Sequence, residues 1–288
     1  MIAKLKKILR PIAHKVIAKA SQSYISGEKL EDALLTSNQL LGKGYQITLA
    51  YWNRDEDIPG DVMTLYHAAL DELAKLPEKN YISIKAPAFN FDRDLYGALL
   101  TRARDLGISL HFDSLGHEAA DAMFSLIQEN SSGRYTDIGC SLPGRWQRSL
   151  DDAERIASLG MVGRVVKGQW EDPLHPEIDP RAGFLNVVNQ LAGKAKTVRI
   201  ATHDPELAKK SIEILRNAGT DSELELLYGL PVSNVLKAVK PLHVPTRIYI
   251  PYGYAWIPYA LNNVRNNPKV LWWLFKDSLS GSYINRFP

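Results

Sequence analysis

Nine polar side chains stand at or near the ends of short β-rich runs: Lys85, Asp113, Arg164, Lys167, Thr202, His203, Glu225, Tyr249 and Tyr252. Together they make a site that is basic and polar, suited to holding an anionic group or to stabilising negative charge as it develops. No His, Cys and carboxylate cluster with metal-ligand spacing accompanies them, so no metal is expected. Gly-x-Ser-x-Gly is absent and the single cysteine, Cys140, has no evident base, which argues against nucleophilic hydrolysis. Each residue also has a plain structural reading. A charge at a strand end can be a solvated cap, and Thr-His-Asp at 202–204 reads equally as the N-cap of the next helix.

The elements that must position these residues are legible as an alternation. The β-rich runs are "YQITLAYW" (45–52), "YISIKA" (81–86), "ISLHFD" (108–113), "DIGCSL" (137–142), "GRVVKG" (163–168), "TVRIAT" (197–202), "ELELLY" (223–228) and "TRIYIP" (246–251). Between them lie segments such as "DVMTLYHAALDELAKL" and "DPELAKKSIEILRNAG", with apolar residues at i, i+3, i+4 and i+7 and often an Asp or Gly at the edge. Eight such units predict a single (β/α)8 barrel of the α/β class, over residues 41–288, preceded by a helical segment over 1–40. A doubly wound open sheet is the competitor, but no G-x-G-x-x-G stands at the first turn. In a closed barrel the chemistry lies where strands end, which is where the polar residues fall.

Bulk composition narrows the classes further. At 45% hydrophobic and 23% charged, the 288-residue chain is ordinary globular protein rather than disordered or disulfide-stapled. One cysteine makes no internal disulfide, and a reducing cytoplasmic setting is expected. A net charge of +3 is too small to imply nucleic acid as a partner. Its distribution is uneven: Lys4, Lys6, Lys7, Arg10, Lys15 and Lys19 precede the first acidic residue, Glu28. Ile2, Leu5, Leu9, Ile12, Val16 and Ile17 recur there at helical spacing, broken by Pro11. Two readings stand for residues 1–20: short helices covering the barrel, or peripheral contact with the inner face of a membrane.

Several of the strand-end words resemble those of the proline dehydrogenase family. "RVVKGQWEDP" resembles its Arg-Leu-Val-Lys-Gly-x-[Tyr/Trp] signature, "ATHDP" its Ala-Thr-His segment, and "RIYIPYGYAWIPY" its last strand and loop. "SIKAP" and "HFD" fall where the family has a second-strand lysine and a third-strand aspartate, in an order that agrees over about residues 40 to 275. The resemblance implies a barrel flavoenzyme that binds FAD, takes a hydride from C5 of proline to give pyrroline-5-carboxylate, and passes electrons to a membrane quinone. It implies Asp113 and Arg164 as the catalytic pair, with Arg164 near flavin N5. It further implies Ser114, Val166, Lys167, Gly168, Trp170, Thr202, His203 and Glu225 as cofactor contacts, and Lys85, Tyr249 and Tyr259 as substrate contacts.

Three departures accompany the resemblance. Pro143, Gly144 and Arg145 replace the family's Gln-Ala-Tyr after strand four, and Glu225 replaces a glutamine on strand seven, where a carboxylate would disfavour an anionic reduced flavin. The family's Tyr-x-x-Arg-Arg-x-x-Glu, whose arginines hold the proline carboxylate, is here Tyr259, Asn262, Asn263 and Asn266. The spacing still shares one helical face, without its charges. Three explanations stay open: Arg145 with Lys85 supplies a relocated anchor; the substrate is another cyclic or secondary amine or a modified proline; or the barrel is a non-redox lyase or binding protein.

Overall fold

A computed structural model of the chain describes residues 25–77, 80–254, 284, 287 and 288. Tyr259, Asn262, Asn263 and Asn266, and the basic segment over 1–20, lie outside the described residues.

Eight parallel strands close into a barrel in chain order: β1 (Gln46–Trp52), β2 (Tyr81–Ile84), β3 (Ser109–Phe112), β4 (Ile138–Pro143), β5 (Val162–Val166), β6 (Thr197–Ala201), β7 (Asp221–Leu227) and β8 (Thr246–Gly253). β8 closes on β1 in register from Gln46 opposite Arg247 to Trp52 opposite Gly253. The expected (β/α)8 architecture is therefore observed, with each strand within a few residues of the run that predicted it.

Helix α1 (Leu30–Leu41) precedes the barrel, and α2 (Pro59–Leu73), α3 (Arg93–Asp105), α4 (Ala120–Asn130), α5 (Ser149–Leu159), α6 (Pro180–Leu191), α7 (Pro205–Asn217) and α8 (Ser233–Val239) follow β1 to β7 in turn. Local chemistry sets their starts. Asp92 accepts from the backbone N–H of Asp94 and Leu95 to begin α3, and Asp179 and Asp204 do the same for α6 and α7. α2, α6 and α7 each carry proline in the first turn, where its missing N–H costs nothing.

The strands bury two different faces. Ile82, Ile84, Leu110, Phe112, Ile138, Leu142, Val165, Ile200, Leu224, Leu226, Ile248 and Ile250 belong to one continuous apolar core with Tyr66, Leu99, Ile127, Val188 and Ile212 of the helices. The alternate positions are polar and point into the barrel, so the apolar core is a ring between sheet and helices rather than a plug in the lumen.

The connection into the barrel fixes where the N-terminal part of the chain attaches. The Ser26 N–H donates to the Pro251 carbonyl at 3.0 Å and the Gly253 N–H to the Gly27 carbonyl at 3.1 Å, so residues 25–27 lie along the upper end of β8. From there α1 descends against β8 and β1. At the lower end Lys43 Nζ donates to the Phe287 carbonyl at 2.7 Å, and the Tyr45 and Phe287 rings meet edge to face at 5.3 Å. Among the described residues no helix is long and apolar enough to cross a membrane.

Candidate active site

The lumen is filled by side chains that reach across it. Arg164 of β5 touches residues of four other strands or strand ends: Asp113 after β3, Glu225 of β7 at 3.1 Å, Ser141 of β4 at 2.8 and 3.0 Å, and Ser83 of β2 at 3.3 Å. Its guanidinium also lies over the Tyr249 ring, 5.2 Å from the centroid. Only 4% of this residue is exposed, so its charge persists because two carboxylates face it. Those carboxylates hold the arginine well above its ordinary pKa despite burial.

Each carboxylate is itself bonded on both oxygens. Asp113 accepts from Ser83 Oγ at 2.6 Å and from the Tyr249 hydroxyl at 2.7 Å as well as from Arg164. Glu225 accepts from Thr48 Oγ1 at 3.0 Å on one oxygen and from the Tyr81 hydroxyl at 2.7 Å on the other. Burial and the Asp113 charge hold the Tyr249 phenol protonated, and Trp52 Nε1 donates to its oxygen at 3.3 Å. The result is a rigid plane of hydrogen bonds across the barrel just below its upper end.

A second polar layer lies beneath. Arg199 and Arg247 both reach Glu223, at 3.2 and 3.1 Å, and both lie over the Tyr81 ring, 3.9 and 4.5 Å from its centroid. His111 sits against Arg199 at 3.2 Å, and burial with the nearby arginines pushes its pKa well below the usual value, so the ring is neutral.

Lys85, half-buried after β2, is different. Its ammonium lies 5.7 Å from the centroid of the Trp52 ring and has no hydrogen-bonded partner among the described residues. Burial lowers its pKa from 10.5 to about 8, partly offset by the charges of Asp113 and Asp55. A donor with no hydrogen-bonded partner among the described residues, at the mouth of a barrel, is available to a ligand. Ser114 lies beside Asp113 on the wall of a small cleft that Pro143 and Trp146 also line.

The remaining sequence candidates gather around the upper ends of β5 and β6. Lys167 Nζ pairs with Asp204 at 3.3 Å, and Arg181 pairs with the same carboxylate, which caps α7. Thr202 Oγ1 accepts from the Asp204 N–H at 3.2 Å. His203 accepts the Leu227 N–H on Nε2 at 3.0 Å and meets the Pro231 carbonyl through Nδ1 at 2.9 Å, so both ring nitrogens are engaged. Its pKa falls to about 4, chiefly through burial, and it is neutral. Gly168 has φ +91°, and a Cβ there would press on Pro143 and Arg145. Trp170 stands 43% exposed on the following loop. Arg145 turns toward that loop, donating to the Gln169 carbonyl at 3.3 Å and pairing with Glu171 at 3.2 Å, while its Nε is buried with no hydrogen-bond partner among the described residues.

Lys85, Asp113, Arg164, Glu225 and Tyr249 thus converge at the mouth, and Lys167, Gly168, Thr202 and His203 form a neighbouring group around β5 and β6. Val166 ends β5 between the two. Ser83, Ser141, Thr48, Tyr81 and Arg181 were not singled out by sequence reasoning. For Tyr81 and Ser83 the signal was the polar alternation in "YISIK", repeated in "SLHFD" and "ELEL" and unusual for parallel strands buried on both faces; Thr48, Ser141 and Arg181 carry no such signal.

No family model matches the chain. It is similar to curated proteins of its own length: 23% identical over 288 residues to a proline dehydrogenase of Deinococcus radiodurans, covering 91% of this chain and 90% of that protein. Proline dehydrogenase 1 of Bacillus subtilis subsp. natto is 19% identical over 264 residues, covering 86% and 87%. Among solved structures, proline utilization A from Bdellovibrio bacteriovorus inactivated by N-propargylglycine superposes with a TM-score of 0.75 at 16% identity, over 94% of this chain and 35% of that one. A Bradyrhizobium japonicum proline utilization A mutant superposes at 0.62 and 14%, over 86% and 30%. The chain spans about a third of the length of those solved structures, and the likeness to them is one of fold.

Proposed function

We propose that this chain is an FAD-dependent dehydrogenase of the proline dehydrogenase type, oxidising a cyclic amino acid to its imine, proline to pyrroline-5-carboxylate. The observation that carries the reading is the mouth itself: a buried, doubly paired arginine beside a lysine with no hydrogen-bonded partner among the described residues, in a chain similar to proline dehydrogenases over nearly its whole length.

The residues fit the cofactor by the chemistry of their donors. Lys167, Arg181 and Thr202 stand at the N-terminal end of α7, an arrangement suited to a diphosphate, and the buried Arg145 Nε beside Gly168 has no partner among the described residues. FAD, when bound, supplies the acceptor for the hydride. The protein's own contribution is then electrostatic. Arg164 presents a fixed positive charge whose orientation Asp113, Glu225, Ser83 and Ser141 determine. Lys85 Nζ meets the substrate carboxylate, Tyr249 walls the substrate side and the Trp170 ring covers the cofactor side. Tyr259, Asn262, Asn263 and Asn266 contribute a polar substrate face from beyond β8. Glu225 acts through Arg164, since both its oxygens are already bonded.

A membrane quinone is the proposed electron acceptor, reached by peripheral contact of residues 1–20 with the inner face of the membrane. The division of the chain into a helical segment over 1–40 and a flavin-binding barrel over 41–288 belongs to the same reading.

One observation favours a second substrate. Arg145, a candidate relocated carboxylate anchor, is turned to Glu171 and the Gln169 carbonyl, and asparagines stand at 262 and 263. A modified proline or another cyclic amine then fits. Reduction of a dye with proline, hydroxyproline and decarboxylated cyclic amines separates the two. Fastest turnover with proline supports the first reading, preference for a carboxylate-free amine supports the second, and no reduction with any of them contradicts both.

A further inference from the structure

The rim of the barrel carries two features that its floor lacks. The first is the attachment of the N-terminal part of the chain. Residues 25–27 are bonded along the upper end of β8, so the 24 residues before them join the fold at the mouth. Those residues hold Lys4, Lys6, Lys7, Arg10, Lys15 and Lys19 with no carboxylate among them, and apolar residues at helical spacing. The second is exposed apolar surface. Of the five large apolar side chains that stand exposed among the described residues, Ile58 (65%), Trp170 (43%), Leu174 (77%) and Tyr254 (38%) lie on loops at the upper ends of strands, and Leu35 lies on α1.

We infer that the protein turns this upper face, mouth first, toward an anionic lipid surface, with residues 1–20 as the electrostatic tether and the rim's apolar side chains as the inserting contacts. The inference rests on the proposed lipid contact of residues 1–20 and adds the side of the barrel that meets the lipid. Charge on the folded part does not by itself choose that side. Asp55, Glu56, Glu171 and Glu177 are exposed on the rim, whereas Lys43, Lys75, Lys194, Lys196 and Lys240 are exposed at the floor. Three of those floor lysines are already engaged, Lys43 by the Phe287 carbonyl, Lys75 by Glu72 and Lys194 by Glu154, and among the described residues no large apolar side chain stands exposed beside them. Rim carboxylates oppose an anionic surface, so the attraction comes from the tail and the adhesion from Ile58, Leu174 and Tyr254, Trp170 being kept for the cofactor side. In this orientation a lipid-dissolved electron acceptor approaches the mouth without passing through water.

The natural cysteine is buried, so labels attach only to introduced thiols. Ile58→Cys at the start of α2 and Lys75→Cys just past its end place a fluorophore at the rim or the floor, separated by a helix of 15 residues, roughly 20 Å. The full chain is mixed with phosphatidylglycerol or phosphatidylcholine vesicles whose acyl chains are brominated. The expected result is binding to the anionic vesicles alone, quenching of the label at 58 and not at 75, and at least on the order of 100-fold weaker partitioning when residues 1–20 are deleted. Quenching at 75 in the bound protein overturns the orientation and leaves the lipid contact standing. Binding undiminished by the deletion overturns the tether, and failure of the full chain to bind anionic vesicles overturns the lipid contact and the orientation with it. Flavin content does not enter the readout, so none of these results bears on the redox chemistry.

Discussion

Arg164 with Asp113 and Glu225 is a buried triad in which two carboxylates share one cation, and this sets what single substitutions do. Glu225→Gln removes one negative charge while keeping the side-chain shape, so the positive potential above Arg164 increases. Reduced flavin carries more negative charge than oxidised flavin, so with FAD bound as proposed the midpoint potential is expected to rise, by tens of millivolts at roughly 30 mV per 1.4 kcal/mol for a two-electron couple. Spectroelectrochemical titration of the two proteins checks this, and an unchanged or lower potential contradicts the role given to Glu225. Lys85 sets a pH dependence. Its folded pKa of about 8 lies below its ordinary 10.5, so the ammonium proposed to meet the substrate carboxylate is lost as pH rises through 8. The KM for proline should climb about tenfold per pH unit above that point, and Lys85→Met should abolish the limb. The same shift has the opposite sign for folding. The folded chain binds this proton more weakly than the unfolded one, so Lys85 opposes folding below pH 8 and that cost fades as pH rises from 8 to 10.5.

At the scale of elements, the turn joining β4 to α5 shows how tightly the site's supports are built. Gly144 and Gly183 are in backbone contact: a Cβ on Gly183 would collide with the Gly144 carbonyl oxygen, and one on Gly144 with the Phe184 backbone. α6 can therefore approach the end of β4 only through two glycines. Gly183→Ala is expected to destabilise the fold by at least ~2–3 kcal/mol in urea unfolding and to displace Arg145, next to Gly144 in the chain. Wild-type stability in that variant would show that the contact is slack. Much of this architecture was legible in the chain, because helical periodicity bounded by Asp or Gly marks α2, α3, α4, α5 and α7 directly. α8 is only 7 residues long, too short for a periodic signal, and passed unmarked. The strand-end residues were found because polar residues terminate each run. The lower layer of Arg199, Arg247, Glu223 and His111 was not, since strand periodicity says that a side chain alternates but not that its partner lies across a lumen.

At the scale of the molecule, the barrel separates its tasks by height. Apolar burial between sheet and helices holds the fold, polar layers fill the lumen, and the upper rim gathers Lys85, the exposed apolar side chains and the attachment of the basic N-terminal segment. A barrel with an apolar lumen would be easier to stabilise, because buried ion pairs contribute little to folding once desolvation is counted. Retaining them fits a site whose charges must stay fixed while a substrate's charge changes. The central claim is that this fixed field serves flavin-dependent oxidation of a cyclic amine. The anaerobic visible spectrum of the purified full-length protein, recorded before and after addition of proline and its cyclic analogues, tests it most directly. A yellow protein whose flavin absorbance bleaches with one of these amines is the predicted result. A colourless protein that takes up no added FAD, or a flavoprotein whose spectrum none of them changes, would contradict it.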